Sequence, residues 1–136
     1  GFNITVEPQI ATRAGLRKPD LLAWDGERSF VIDVSIVSDQ YADLNEPYEA
    51  KCYYYAKEPD LVQTVTRLTG HSPEFSACII TWRGCIAART AENLLELGVT
   101  RSTLRLLALI VVEYGAATHR AFYRSTVTEA NRRMGM

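Results

Sequence analysis

The sequence predicts an α/β domain: a mixed β-sheet flanked by helices, with elements in the order βββ-α-α-β-α-α. Three observations lead there. Runs rich in β-branched and aromatic residues, broken by turn residues, fill positions 3–37. Apolar spacing of three and four then takes over from about position 46. One further apolar run, 75–82, interrupts the helical pattern before it resumes. At 136 residues the chain can bury one core and not two, so a single domain spanning 1–136 is expected.

Residues 3–10 read as the first strand, and Ala14-Gly15 supplies a turn before the second, 21–24. Pro19 stands just ahead of that second strand, where its missing N–H costs no ladder bond. Asp25-Gly26 signals a hairpin into the third strand, 29–37, so three consecutive antiparallel strands are expected. A helix follows over about 46–57, with Pro47 in its first turn and Tyr48, Lys51 and Tyr55 on one face. Pro59 interrupts it, and a second helix over 60–68 stops at Gly70. After the strand 75–82, closed by Arg83-Gly84, Thr90 is expected to cap a helix over 91–97 and Thr100 a longer one reaching about 125. The apolar run 106–112 has strand-like composition, but Leu104, Leu107, Ala108 and Val111 keep helical spacing and decide for helix.

Composition narrows the classes. With 47% hydrophobic and 23% charged residues the chain is neither disordered nor fibrous. The run 106–112 is far shorter than the roughly 20 residues of a membrane span, so no membrane partner is expected. Cys52, Cys78 and Cys85 have no zinc-like or disulfide-like spacing, and read as small buried residues in a reducing compartment. The start at Gly1, almost directly on a strand-like run, suggests a piece of a larger protein. Net charge is −1, without the basic excess of an obvious nucleic-acid binder. Its distribution is uneven: residues 1–68 hold 7 basic and 11 acidic side chains, residues 69–136 hold 8 and 5. An acidic half that could hold a cation then lies beside a basic half that could face phosphate.

The most informative feature is Lys18-Pro19-Asp20, twelve intervening residues, and Asp33 inside Phe30-Val31-Ile32-Asp33-Val34-Ser35-Ile36-Val37. Strand alternation puts Val31, Asp33, Ser35 and Val37 on one face. An ionised Asp in such a strand must be neutralised, hydrogen-bonded, at a sheet end, or holding a cation. Asp20 can lie beside it, and two converging carboxylates repel unless a metal sits between them. All-oxygen ligation selects Mg²⁺, with Mn²⁺ as a substitute. Such a metal polarises a phosphodiester and acidifies a bound water, and a nearby lysine stabilises charge on the transition state. The plainer alternative is a carboxylate that caps a turn or pairs with an arginine.

This layout resembles the PD-(D/E)xK superfamily of restriction-like nucleases, with one departure: Ser35 stands where the motif lysine would share the face of Asp33. It is similar in that respect to the restriction-like endonuclease domains of site-specific non-LTR retrotransposon proteins. These carry Lys/Arg-Pro-Asp, a gap of about a dozen residues, an acid in a strand, and a lysine displaced onto the following helix. Lys18-Pro19-Asp20, Asp33 and Glu49-Ala50-Lys51-Cys52-Tyr53-Tyr54-Tyr55 match in order, over roughly residues 4 to 83. The resemblance implies a restriction-endonuclease-like sheet and a Mg²⁺-dependent nick in double-stranded target DNA. The freed 3′-hydroxyl would prime reverse transcription by another domain of the same polyprotein, alongside its nucleic-acid-binding domains, in the nucleus. Assembly of two copies for second-strand cleavage stays open.

Carried onto this chain, Asp20 and Asp33 are the expected metal ligands and Lys51 the catalytic lysine, with Tyr55 beside them. Lys57 is the rival, but six residues on it lies about 120° around the helix from Lys51. Glu7 is a candidate further acid, with a surface charge as the plainer reading, and Ser35 a candidate neighbour of the acids. Arg13, Arg17 and Lys18 are candidate phosphate contacts, with a solvated charged hairpin as the more usual reading. Two of Tyr53, Tyr54 and Tyr55 are expected simply to pack the helix on the sheet, and Trp82 to pack. Arg101, Arg105, Arg120, Arg124, Arg132 and Arg133 make the tail basic, while His71 and His119 have no triad or metal partner in sequence. Two readings compete with the retroelement nuclease: a resolvase or repair nuclease of the same fold, and an inactive nuclease-like module that binds DNA or protein.

Overall fold

The fold was analysed in a computed structural model, which describes residues 1–38 and 40–135; the side chains of 119, 122, 123 and 125–131 lie outside the described residues, His119 among them. The strands are β1 (Asn3–Val6), β2 (Ile10–Thr12), β3 (Gly15–Arg17), β4 (Leu21–Trp24), β5 (Ser29–Val37) and β6 (Pro73–Thr81). The helices are α1 (Asn45–Ala56), α2 (Pro59–Thr69), α3 (Ala88–Glu96) and α4 (Arg101–Arg133). The α/β class with a mixed sheet is as the sequence predicts.

The main sheet has the order β1-β4-β5-β6. β1 with β4 and β4 with β5 are antiparallel, and β5 with β6 is parallel. A parallel neighbour needs a crossover, which α1 and α2 provide. The β4–β5 hairpin forms because the Asp25 carboxylate accepts the N–H groups of Glu27 and Arg28, both at 2.8 Å. That turn pairs Trp24 with Ser29 and Leu21 with Ile32. It also fixes which residues meet at the far end of the two strands.

The opening segment departs from expectation. β1 ends at Val6, because Glu7 takes a left-handed backbone (φ 50), and the chain makes an additional two-stranded ribbon, β2–β3, before returning as β4. Gly15 sits in that ribbon with φ 115, a conformation only glycine adopts easily. Ile10, the first residue of β2, is buried with Leu22, Val31, Tyr55, Leu61 and Val65. The ribbon is therefore tied to the core under α1 and α2.

The two sheet faces are covered by different helices. Val31, Ala77 and Ile79 pack against Tyr48 and Tyr55 of α1 and Leu61 and Val65 of α2. Cys78 and Ile80 on the opposite face meet Leu94 of α3 and Leu107 and Val111 of α4. Pro59 opens α2, where its missing N–H costs nothing, and Gly70 in the left-handed conformation (φ 83) stops it.

Three expectations about the second half change. α3 begins at Ala88, so Thr90 is not its cap; it is fully buried and bonds the edge of β6 instead. Its hydroxyl donates to the Ala77 carbonyl at 2.7 Å and accepts the Ile79 N–H at 3.0 Å. Thr100 does cap α4, accepting the Thr103 N–H at 3.1 Å, but that helix runs on to Arg133. Cys85 is exposed, whereas Cys78 is buried and Cys52 half-buried. Trp82 stacks on Tyr114 with centroids 6.3 Å apart while remaining partly exposed. Gly115 permits this, since any Cβ there would come within 2.9 Å of the indole. Among the described residues, no helix is long and apolar enough to cross a membrane.

Candidate active site

The hairpin register explains the site. Because Leu21 pairs with Ile32, the residue before Leu21 stands opposite the residue after Ile32, and these are Asp20 and Asp33. The Asp20 N–H donates to Asp33 Oδ1 at 3.2 Å, and the Val34 N–H donates to Asp20 Oδ2 at 2.6 Å. β4 stops at Leu21 while β5 continues to Val37, so the Val34 N–H has no strand partner on that side. The Asp20 carboxylate takes it.

From above, α1 brings two more side chains down. Lys51 Nζ lies 3.1 Å from Asp33 Oδ2, with the lysine half exposed and Asp33 buried. Tyr55, one turn further along and buried, sets its phenol close enough to the Asp33 carboxylate to feel its charge. Burial, together with the Asp33 and Asp20 carboxylates, pushes the Tyr55 phenol well above its ordinary range, so it stays a proton donor. The Asp20 carboxyl is also raised. Burial is the first cause, and the charge and hydrogen bonding of Asp33 add to it against the Val34 N–H and Lys51. The cluster is thus two converging acids with one cation and one phenol.

The remaining sequence candidates are distributed as follows. Lys57 sits 5.7 Å from the ring centres of Tyr53 and Tyr54, away from the acids. Glu7 continues the cross-strand row, its N–H donating to the Asp20 carbonyl at 2.8 Å, but its carboxylate is exposed and pairs with Lys18 at 3.7 Å. Ser35 is half-buried on the wall of a cleft beside Lys51. Arg13 is almost fully exposed beside Asp60, at 3.8 Å.

Arg17, a candidate phosphate contact, is held largely inside the structure. Its side chain is 11% exposed, bonded to Glu58 at 3.2 Å and laid over the Tyr54 ring at 4.5 Å, so it pins the β2–β3 ribbon to the junction of α1 and α2. Tyr53 and Tyr54 point outward rather than packing on the sheet, because each helical step turns about 100° and only Tyr55 shares the buried face of Tyr48. One residue passed over in the sequence is Tyr41, which lines the cleft with Ser35 and Lys51. An aromatic in the loop ahead of Pro47 was the only signal for it.

A divalent cation fits this donor set. Mg²⁺ is commonly held by one or two carboxylates, its remaining positions being filled by water and phosphate oxygens. Asp20 and Asp33 supply two such carboxylates, side by side at the open end of the β4–β5 hairpin. Among the described residues, no three acidic, histidine or cysteine side chains form a complete protein cage.

No protein-family model matches the chain. Curated relatives do. Over 135 residues it is 29% identical to the Retrovirus-related Pol polyprotein from type-1 retrotransposable element R2 of Nasonia vitripennis, covering 98% of this chain and 13% of that protein. The Popillia japonica type-1 R2 polyprotein is 29% identical over 131 residues, 96% of this chain and 27% of the relative. For the type-2 R2DM polyprotein of Drosophila melanogaster the figures are 29% over 101 residues, 73% and 9%. The chain spans between about a tenth and a quarter of the length of these relatives. A mixed α/β chain with two acids converging below a lysine is, in sequence, similar to segments of R2 retrotransposon Pol polyproteins.

Proposed function

We propose that this chain is a Mg²⁺-dependent DNA endonuclease domain that nicks one strand of a target duplex. The exposed 3′-hydroxyl would prime reverse transcription elsewhere in a retrotransposon polyprotein. The observation that carries the reading is the convergence of Asp20 and Asp33 opposite each other on β4 and β5 with Lys51 Nζ 3.1 Å from Asp33. The similarity to R2 Pol polyproteins supplies the biological setting.

Each residue has a role. Asp20 and Asp33 hold the divalent ion, Mg²⁺ or Mn²⁺, which would supply a polarised phosphodiester and a water of lowered pKa. Lys51 is close enough to Asp33 to be oriented by it and exposed enough to meet a phosphate oxygen, where its charge offsets that of the transition state. Tyr55 backs the Asp33 carboxylate from the buried side with its phenol. Glu7 and Lys18 lie at the rim of the same row, and Arg13 is the most exposed cation of the neighbouring ribbon.

The test is nicking of supercoiled plasmid DNA with Mg²⁺ or Mn²⁺. Asp20→Ala and Asp33→Ala should each lose at least 10²–10³-fold in rate, the order expected when transition-state charge stabilisation is removed. A wild-type chain that cuts no DNA with either metal, or an Asp20→Ala variant that cuts equally well, overturns the reading. One observation favours a second reading, an inactive binding module: Lys51 and the Asp20 N–H already engage both oxygens of Asp33 without a metal. In that case added Mg²⁺ leaves the melting temperature unchanged.

A further inference from the structure

Beside the acids lies a cleft of about 320 Å³, lined by Ser35, Val37, Tyr41, Pro47, Ala50, Lys51 and Tyr54. It is the right order of size for a small organic group. Its walls are aliphatic and aromatic, and its one cation, Lys51, is the residue that reaches Asp33. The cleft and the acids are therefore neighbours, sharing one side chain. Ser35 adds a hydroxyl on the strand two residues beyond Asp33.

The two tyrosines differ. Tyr54 is held between neighbours, edge-on to Tyr55 at 5.0 Å and under the Arg17 guanidinium at 4.5 Å. The ring of half-buried Tyr41 has no aromatic or cationic partner among the described residues. One fixed and one unengaged aromatic ring lining the same cleft as the Lys51 side chain suit a flat heterocycle attached to a phosphate. Double-stranded DNA cannot present that group without unstacking it, whereas a single-stranded or extruded nucleotide can.

We propose that this cleft is a nucleobase subsite, taking one unpaired base next to the phosphate held at Asp20, Asp33 and Lys51, with Tyr41 as the stacking platform. The proposal rests on the endonuclease reading and adds a preference to it: DNA that is unpaired or readily opened beside the cut.

The experiment uses a single-stranded oligonucleotide carrying one 2-aminopurine, with Ca²⁺ to occupy the carboxylates. Fluorescence reports stacking without requiring cleavage. Wild type should quench the probe and bind it more tightly than the matching duplex. Tyr41→Ala should weaken binding about tenfold, the loss of one base–aromatic stack, and Tyr41→Phe should retain it. Tyr41 lies in a loop outside the core clusters, so truncation leaves the fold standing. Absent quenching, or equal affinity of wild type and Tyr41→Ala, overturns the subsite even if plasmid is nicked. Quenching that depends on Tyr41 in a chain that never nicks supports the subsite and overturns the nuclease reading alone.

Discussion

At the scale of single residues, the two lysines of α1 make opposite predictions. Lys51 Nζ is 3.1 Å from Asp33, whereas Lys57 rests over Tyr53 and Tyr54. Lys51→Ala should cut the nicking rate about 10²–10³-fold, and Lys57→Ala should leave it within about twofold. Loss in Lys57→Ala alone would show that α1 turns on binding DNA. Asp20 carries a pH prediction. Its folded pKa is raised above the ordinary 3.8, so the folded state holds the proton more tightly than the unfolded one, and this contribution is present at low pH and lost as pH rises through the raised value. In metal-free buffer Asp20→Asn, which keeps an acceptor for Val34 without the charge, should therefore melt above wild type at neutral pH. The gap should close on acidification. Added Mg²⁺ should raise the melting temperature of wild type and not of the variant; thermal scans at several pH values check both signs.

Among the elements, β6 is an edge strand, with β5 on one side and the segment that follows it reaching its other edge at Ile79–Thr81. Thr90 serves two of its backbone groups from inside α3. Thr90→Val keeps the shape and removes both bonds, so it should cost about 2–4 kcal/mol in denaturant unfolding. Thr100→Ala, which removes an ordinary cap, should cost about 1 kcal/mol; equal costs would mean that water replaces Thr90. The same threonine shows where sequence reasoning stopped. As a residue it reads as a helix cap, and only the arrival of β6 beside it, eleven residues away in sequence, gives its hydroxyl better partners. The pairing of Asp20 with Asp33 was legible because a hairpin register is local, and the approach of Lys51 and Tyr55 because a helical face is periodic. The β2–β3 ribbon was not: its strands are three residues each, and what holds it is Arg17 meeting Glu58 across 41 positions.

For the molecule as a whole, the charge pattern decides how it meets DNA. The acidic first half and basic second half suggest separate cation-binding and phosphate-binding surfaces, but many of the cations are already engaged. Arg13 faces Asp60, Arg17 faces Glu58, Lys18 faces Glu7, Arg28 faces Glu74 and Glu96, and Arg89 faces Glu49. A phosphate must displace a carboxylate to use any of them, so few counterions are released per chain bound. Each phosphate neutralised contributes about −0.9 to the slope of log K against log salt. This chain alone, with net charge −1, should show a slope of only about −1 to −3 on duplex DNA and weak discrimination between sequences. Fluorescence anisotropy across a salt series measures it. A slope steeper than about −5, or tight binding to one sequence only, would mean that the ion pairs open on contact and that this segment carries target recognition itself.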